Sequence, residues 1–255
     1  MSSKYLLPQE LNKPPIEEAL FELRFALAPG ADAAAFHSHM RTALGAEHPR
    51  SAAIQNAAVS HIVRRSVPDA RHIPTFELSG DHRAVLLGDG VVALRLTGRY
   101  PGWDVVKGRI ESLLDHSKRS KSIGTLEEVS LKFVNVLRDP PPRQLEALRV
   151  DVRVNGEAVN ERGLFLRMEL SDELYVRIVE LRPGATGPFL EPDPNAHGLM
   201  LALECRRSLE DVDFWKDRGD VLENLHFELR ALFFRLLSRE SIEKLGPVYR
   251  KTPEG

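Results

Sequence analysis

Between Pro14 and Leu27 the chain alternates. Ala19, Phe21, Leu23, Phe25 and Leu27 share one parity, while Glu18, Glu22 and Arg24 fall on the other. A period of two is that of a strand with one buried face. Pro14 and Pro15 bar a helix before it, and Pro29 with Gly30 ends it, so the pattern predicts a long central strand. Downstream, Phe36, Met40, Ala43 and Leu44 mark one stripe of a helix over 31–44, closed by Gly45 and Pro49. Residues 51–66 read as a helical turn that finishes as a strand through Val59, Ile62 and Val63. Three short extended runs follow at 75–79, 83–87 and 91–97, with Gly80-Asp81 and Asp89-Gly90 as their turns. A helix then opens at Tyr100-Pro-Gly-Trp103, with Trp103, Val106, Ile110, Leu113 and Leu114 on its apolar side.

The second half opens on another long strand over 126–137. Val129, Leu131 and Phe133 hold one parity and Val134 and Val136 the other, which predicts a bulge or a twist near Phe133. Past the prolines at 140–142, Leu148, Val150, Val152 and Val154 alternate with polar residues as a strand would. A hairpin is expected from 163–170 and 174–181, and a strand from Leu199, Leu201, Leu203 and Cys205. A short helix at 209–215 is expected to precede a long one over 220–238, whose stripe runs through Leu222, Leu225, Leu229, Leu232, Phe233 and Leu236. Element order thus corresponds between 1–122, a strand-helix-meander-helix half, and 123–255, a strand-meander-helix half. The expected fold is α+β: a curved antiparallel sheet with long helices on one face, built from two similar halves like the TATA-binding-protein fold and sharing one continuous sheet.

Composition adds limits. An apolar share of 42% over 255 residues suffices for a packed core without metal or disulfide help, and the single Cys205 excludes an intrachain disulfide. No apolar run approaches about 18 residues and the first residues lack a signal-peptide core, so a cytoplasmic protein with no membrane partner is expected. A net charge of -2 removes the usual electrostatic argument for general nucleic-acid binding.

Motifs for chemistry are sparse. His37 with His39, and His226 with Glu228, stand two apart on helices and point to different sides, so no metal site is expected. Cys205 falls on the apolar parity of its strand, and Gly184 to Gly187 lacks the lysine of a phosphate loop; no catalytic residue and no cofactor are assigned. Asp115-His116 at a helix end reads as a solvated pair. The loop over 186–198 carries Glu191, Asp193, Asn195 and His197, and its prolines suit a stiff crossover as well as a ligand-binding lid.

A set of arginines remains. Arg149, Arg153, Arg167, Arg177 and Arg206 are expected to project, with Tyr175, Glu169 and Glu204, from the sheet face the helices leave open. Guanidinium forks beside an aromatic ring suit phosphate, nucleic acid or an acidic partner. The same residues suit a solvated face with cross-strand ion pairs such as Arg167 with Glu204. The ligand- or partner-binding set is therefore Arg149, Arg153, Arg167, Tyr175, Arg177 and Arg206.

Four segments carry a resemblance: PPIEEALFELRF at 14–25, YPGW at 100–103, EEVSLKFVNVL at 127–137 and LGPVY at 245–249. In this order they resemble a sporadically distributed, uncharacterised bacterial protein family of about this length. The chain departs from it at Lys132-Phe133, where that family carries arginine and tyrosine. The resemblance implies a bacterial, patchily inherited accessory protein, similar in distribution to defence and toxin-antitoxin genes. The expected function is a non-enzymatic cytosolic binding protein that engages a protein partner, in a toxin-antitoxin or phage-defence pair. Nucleic-acid or nucleotide binding through the arginine face is the alternative, followed by an enzyme whose pocket assembles from distant residues.

Overall fold

The computed structural model describes residues 7–54, 71–138, 140–141, 143–159, 161, 163–185 and 198–249. The first half contains β1 (Glu10–Leu11), β2 (Ile16–Leu27), α1 (Ala33–Leu44), β3 (Arg50–Ala53), β4 (Phe76–Gly80), β5 (Arg83–Leu87), β6 (Val91–Thr97) and α2 (Trp103–Arg119). The second contains β7 (Ile123–Leu137), β8 (Arg153–Val154), β9 (Glu157–Ala158), β10 (Leu166–Ser171), β11 (Val176–Ala185), β12 (Gly198–Ser208), α3 (Phe214–Leu236), α4 (Arg239–Lys244) and β13 (Pro247–Val248). Among the described residues nine strands form one antiparallel sheet, ordered β10-β11-β12-β7-β2-β6-β5-β4-β3, and it does not close on itself. The strand expected to be central, β2, is the middle one.

Alternation becomes burial through register. Phe21 lies opposite Leu94 on β6 and Leu131 on β7, and Leu23 opposite Val92 and Val129. Phe21, Leu23 and Phe25 are at most 1% exposed because α1, α2 and α3 pack on that face. Phe36 of α1 meets the Phe25 ring edge-on at 5.4 Å. Asp32 caps α1 by accepting from the Ala34 amide at 3.3 Å, and Asp213 caps α3 by accepting from the Lys216 amide. From that cap α3 runs in one piece from Phe214 to Leu236, where a short and a long helix were expected over 209–238. No helix of the described residues is long and apolar enough to cross a membrane.

Two other expectations change. The β7–β12 register runs unbroken from Leu137 to Glu128, so β7 itself carries no bulge there; the irregularity near Phe133 lies in its other partner, β2, where an extra residue between Ile16 and Glu18 stands opposite Val134 and Asn135. Val134 and Val136 are buried, at 6% and 2%, on the face away from the helices, and apolar residues on both parities mimicked a change of parity. The alternating run 148–155 does not form one strand: Leu148 makes an isolated antiparallel bridge to Leu237, and Arg153 and Val154 form a two-residue ladder with Glu157 and Ala158. β3 replaces the helical turn expected from residue 51, while the strand through Val59 to Val63 and the loop over 186–197 lie outside the described residues.

Truncating Phe21, on the middle strand and under the helices, removes a ring with no room to relax. Phe21→Ala should lower the unfolding free energy by about 3–5 kcal/mol, read as a shift in urea midpoint at unchanged slope.

Candidate functional site

Tyr100-Pro-Gly-Trp103 is a helix start, and Gly102 holds φ at +94°, a conformation open to glycine and poor for other residues. That turn delivers Tyr100 and Trp103 to the rim of a cleft of about 1220 Å³. Its floor is the sheet at Phe133, Asn135 and Leu203, and one wall is α3 at Glu223, His226, Arg230 and Phe233. The other wall is the extended stretch from Pro8 to Glu17. The C-terminus holds that stretch in place: the Gln9 amide donates to the Val248 carbonyl at 2.7 Å, Asn12 to Gly246 at 2.9 Å and Lys13 to Leu245 at 3.1 Å. Gly246 has φ +65°, and a Cβ there would sit 3.1 Å from the Asn12 Cβ. The four segments singled out by resemblance therefore meet here, three lining the cleft and the fourth clamping its wall.

The imidazole of His226 stacks on the Trp103 indole at 4.1 Å and 8°, and meets Phe133 edge-on at 6.1 Å. Burial, helped by the nearby Arg230 charge, pulls its pKa down to about 4, so the ring is neutral at pH 7. Burial, and then the Asp104 carboxylate, push the Tyr100 phenol well above its ordinary value, so it stays a donor. Glu223 accepts from Trp103 Nε1 at 3.0 Å and Lys107 Nζ at 2.7 Å. Burial favours its neutral form, yet these bonds outweigh burial and hold its pKa below the ordinary value.

Arg230 is different. One of its terminal amino groups, Nη2, donates to the Pro8 carbonyl at 2.7 Å, but its Nε is buried without an acceptor. It forms no ion pair among the described residues, and burial alone depresses its pKa. A cation half withdrawn from water, with only a neutral carbonyl as its hydrogen-bond partner, carries part of the cost of desolvating a charge. The arrangement presents a guanidinium, a protonated phenol and aromatic walls, which is a set for gripping an anion attached to something flat or extended.

The arginines predicted from sequence do not share a face. Arg167 and Arg206 lie on the side away from the helices. Arg206 binds Glu204 at 2.6 Å, and Arg167 lies 3.5 Å from Glu180 and 3.4 Å from Glu169, so the cross-strand pair expected between Arg167 and Glu204 is replaced by these. Arg177 is on the helix face, because its register partner is Cys205 and the partner of Cys205 is Leu131. There Arg177 binds Glu228 of α3 at 2.8 Å and Asp172 at 2.6 Å. Backbone bonds from Leu174 and Tyr175, then Arg177, lower the Asp172 pKa to about 2. The Tyr175 ring sits between Arg177 at 5.7 Å and Arg207 at 5.9 Å. Arg149 and Arg153 are outside the large sheet and exposed, the latter binding Asp151 at 2.8 Å.

The remaining sequence candidates take ordinary places. Burial pushes the Cys205 thiol up to about 12. His37 and His39 turn apart, Nε2 of the first lying 3.2 Å from the Gly88 carbonyl and that of the second 3.1 Å from the carbonyl of His116. Asp115 pairs with Arg218 at 2.6 Å and thereby ties α2 to α3. Sequence reasoning missed His226 and Arg230 as site residues; the available signal was a histidine and an arginine interrupting the stripe of α3 beside Leu225 and Leu229.

No protein-family model matches the chain, and no curated protein matches it.

The depressed His226 pKa has a signed consequence. Between about pH 6.5 and 4 the unfolded chain binds the proton that the folded chain refuses, so this contribution is complete above pH 6.5 and is lost as pH falls toward 4. Urea unfolding at pH 7.5 and 4.5 should show a larger acid loss in the parent than in His226→Phe, by roughly 2–3 kcal/mol.

Proposed function

We propose that the chain is a binding protein that engages a protein partner by taking an extended, acid-bearing segment of it into the cleft. Arg230 carries this reading: it is a half-buried guanidinium with no counter-ion among the described residues and its Nε without an acceptor, facing a cleft with aromatic walls. An incoming carboxylate supplies the missing charge, and a charge-assisted pair in such a site is strong. A polypeptide occupant is favoured over a compact one because the site already handles extended main chain. Arg230 grips the Pro8 carbonyl, and the amides of Gln9, Asn12 and Lys13 are matched to carbonyls of residues 245–248. The expected setting, a bacterial cytosol and a defence or toxin-antitoxin pair, belongs to this proposal.

The sheet order supports a finer reading of the architecture as well. From the central pair outward, β2-β6-β5-β4 and β7-β12-β11-β10 follow the same sequence of first, last, middle and early strand of each half. That order is what a two-half, TATA-binding-protein-like sheet would have.

The test is selection from a display library of random eight-residue peptides, followed by titration of the enriched peptides in solution. Enriched sequences should share an Asp or Glu, and Arg230→Met should weaken them about thirtyfold or more, the low end of losing one partner of a charge pair at about 2–5 kcal/mol. The same variant should keep or raise the melting temperature, because it removes an uncompensated buried charge and keeps the apolar stem. No enrichment over a non-binding control, or binding indifferent to Arg230→Met, overturns the proposal.

A further inference from the structure

The described sheet ends on one side at β3 and on the other at β10, and these edges differ. β3 has four exposed residues, Arg-Ser-Ala-Ala, with no large apolar side chain. β10 reads Leu166-Arg-Met-Glu-Leu-Ser171 and pairs with β11 through one edge only; among the described residues no strand covers the other. Its register with β11 places Leu166, Met168 and Leu170 on the helix face and Arg167 and Glu169 on the second face. Leu170 is 46% exposed and Leu174, in the following turn, 59%. Edge strands commonly guard themselves with proline, a bulge or an inward charge, and β10 has none of these.

We propose that β10 pairs antiparallel with β10 of a second copy of this chain, about a two-fold axis passing Met168. The sequence is its own complement in that register. Met168 meets the partner's Met168, Leu166 meets the partner's Leu170 and Arg167 meets the partner's Glu169, each pair on one face as antiparallel partners must be. Within one chain Arg167 lies 3.4–3.5 Å from its nearest carboxylate oxygens, and its side chain is 44% exposed, so it is free to turn toward a closer acid across the axis. Shifting the register by one residue would set leucine or methionine against arginine or glutamate and, since opposed residues share a face, would turn the partner's helix layer to the other side of the sheet. The two-fold operation joins the two sheets and leaves both helix layers on the same side, an isologous interface of the commonest kind. The occupant is a second copy because charge and apolar pattern are matched to this strand itself. This inference is independent of the cleft, which lies at the other side of α3 from this edge.

Sedimentation equilibrium over micromolar to near-millimolar concentrations tests it. The parent should approach twice 28.6 kDa. Glu169→Lys, which faces two cations against each other at both ends, should raise the dissociation constant at least tenfold with an unchanged circular dichroism spectrum. Arg167→Glu combined with Glu169→Lys should restore the dimer. A parent that stays monomeric, a dimer indifferent to Glu169→Lys, or a charge swap that fails to restore it overturns the proposal. Should a charge variant misfold, cysteine scanning decides: Met168→Cys should give a covalent dimer on mild oxidation while Leu166→Cys and Leu170→Cys do not, and equal yields at the three positions overturn the register. Buried Cys205 stays silent in that experiment.

Discussion

The pairing of β2 with β7 sets the reference for every other element. These are the first long strands of the two halves of the chain, and they run together from Leu27 opposite Ile123 to Ile16 opposite Asn135. Since side chains alternate with period two, this one register places Ala19, Phe21 and Leu23 with Phe133, Leu131 and Val129 under the helices; a slip by one residue would turn all of them outward. The pairing is also where the ladder is irregular. Between Ile16 and Glu18 the β2 strand carries an extra residue, and the parity changes. Ile16 thereby packs on the helix side while Glu18 points away, and the chain before it, Pro15 to Pro8, is steered across the cleft. Asn135, opposite this bulge and 3% exposed, donates to the Leu201 carbonyl at 3.1 Å, which leaves its amide satisfied in an apolar setting. The site is thus a consequence of one inserted residue in the central ladder.

The face away from the helices follows a different rule. Its middle is apolar: Val91, Ala93, Val134, Val136 and Ala202 are at most 6% exposed. Long charged side chains lie over these residues and pair with one another. Arg24 reaches Glu22 at 2.6 Å and Glu128 at 3.1 Å, Lys132 reaches Glu180 at 3.2 Å, and Arg95 reaches Glu77 at 3.0 Å. Burial raises the pKa of Glu128 and of Glu18 despite the neighbouring cations, so these acids are held where water is scarce. A lattice of matched signs covers apolar surface with aliphatic stems and presents little net field. This is why arginines here do not amount to a basic patch, and it fits a chain whose total charge is close to zero.

Alternation in the sequence was enough to find β2, the meander β4 to β6, β7, β10 to β12 and the stripes of the helices, because each of those segments has one face pressed on a common core. It was not enough to say which face an arginine occupies. Arg177 shares its parity with Val179 and Leu181, but it sits at the strand end where the core gives way to Glu228, so its polarity suggested the wrong side. Arg149 and Arg153 alternate as cleanly as any strand residues, yet alternation describes a strand only when a neighbour accepts its hydrogen bonds. The cleft was hidden for a third reason. Its residues come from five separate stretches, and their distances depend on a bulge and a C-terminal clamp that leave no periodic trace.

Arg230 and His226 together show how the cleft departs from the economy of the rest. A second positive charge beside a desolvated guanidinium would raise the cost of both, and the neutral state of His226 avoids it; the Arg230 charge is itself one reason that state persists to low pH. The imidazole instead stacks on Trp103, whose indole nitrogen is bound by Glu223, and Glu223 is fixed by Lys107. Each member of that chain is satisfied by the next. In the sheet Arg24, Arg95 and Arg206 are each met by an acid within about 3 Å, while Arg182 and Arg207 lie over the Phe165 and Tyr175 rings. Arg230 of α3, half-buried against aromatic walls with no acid paired to it among the described residues, departs from that pattern where a site would depart from it.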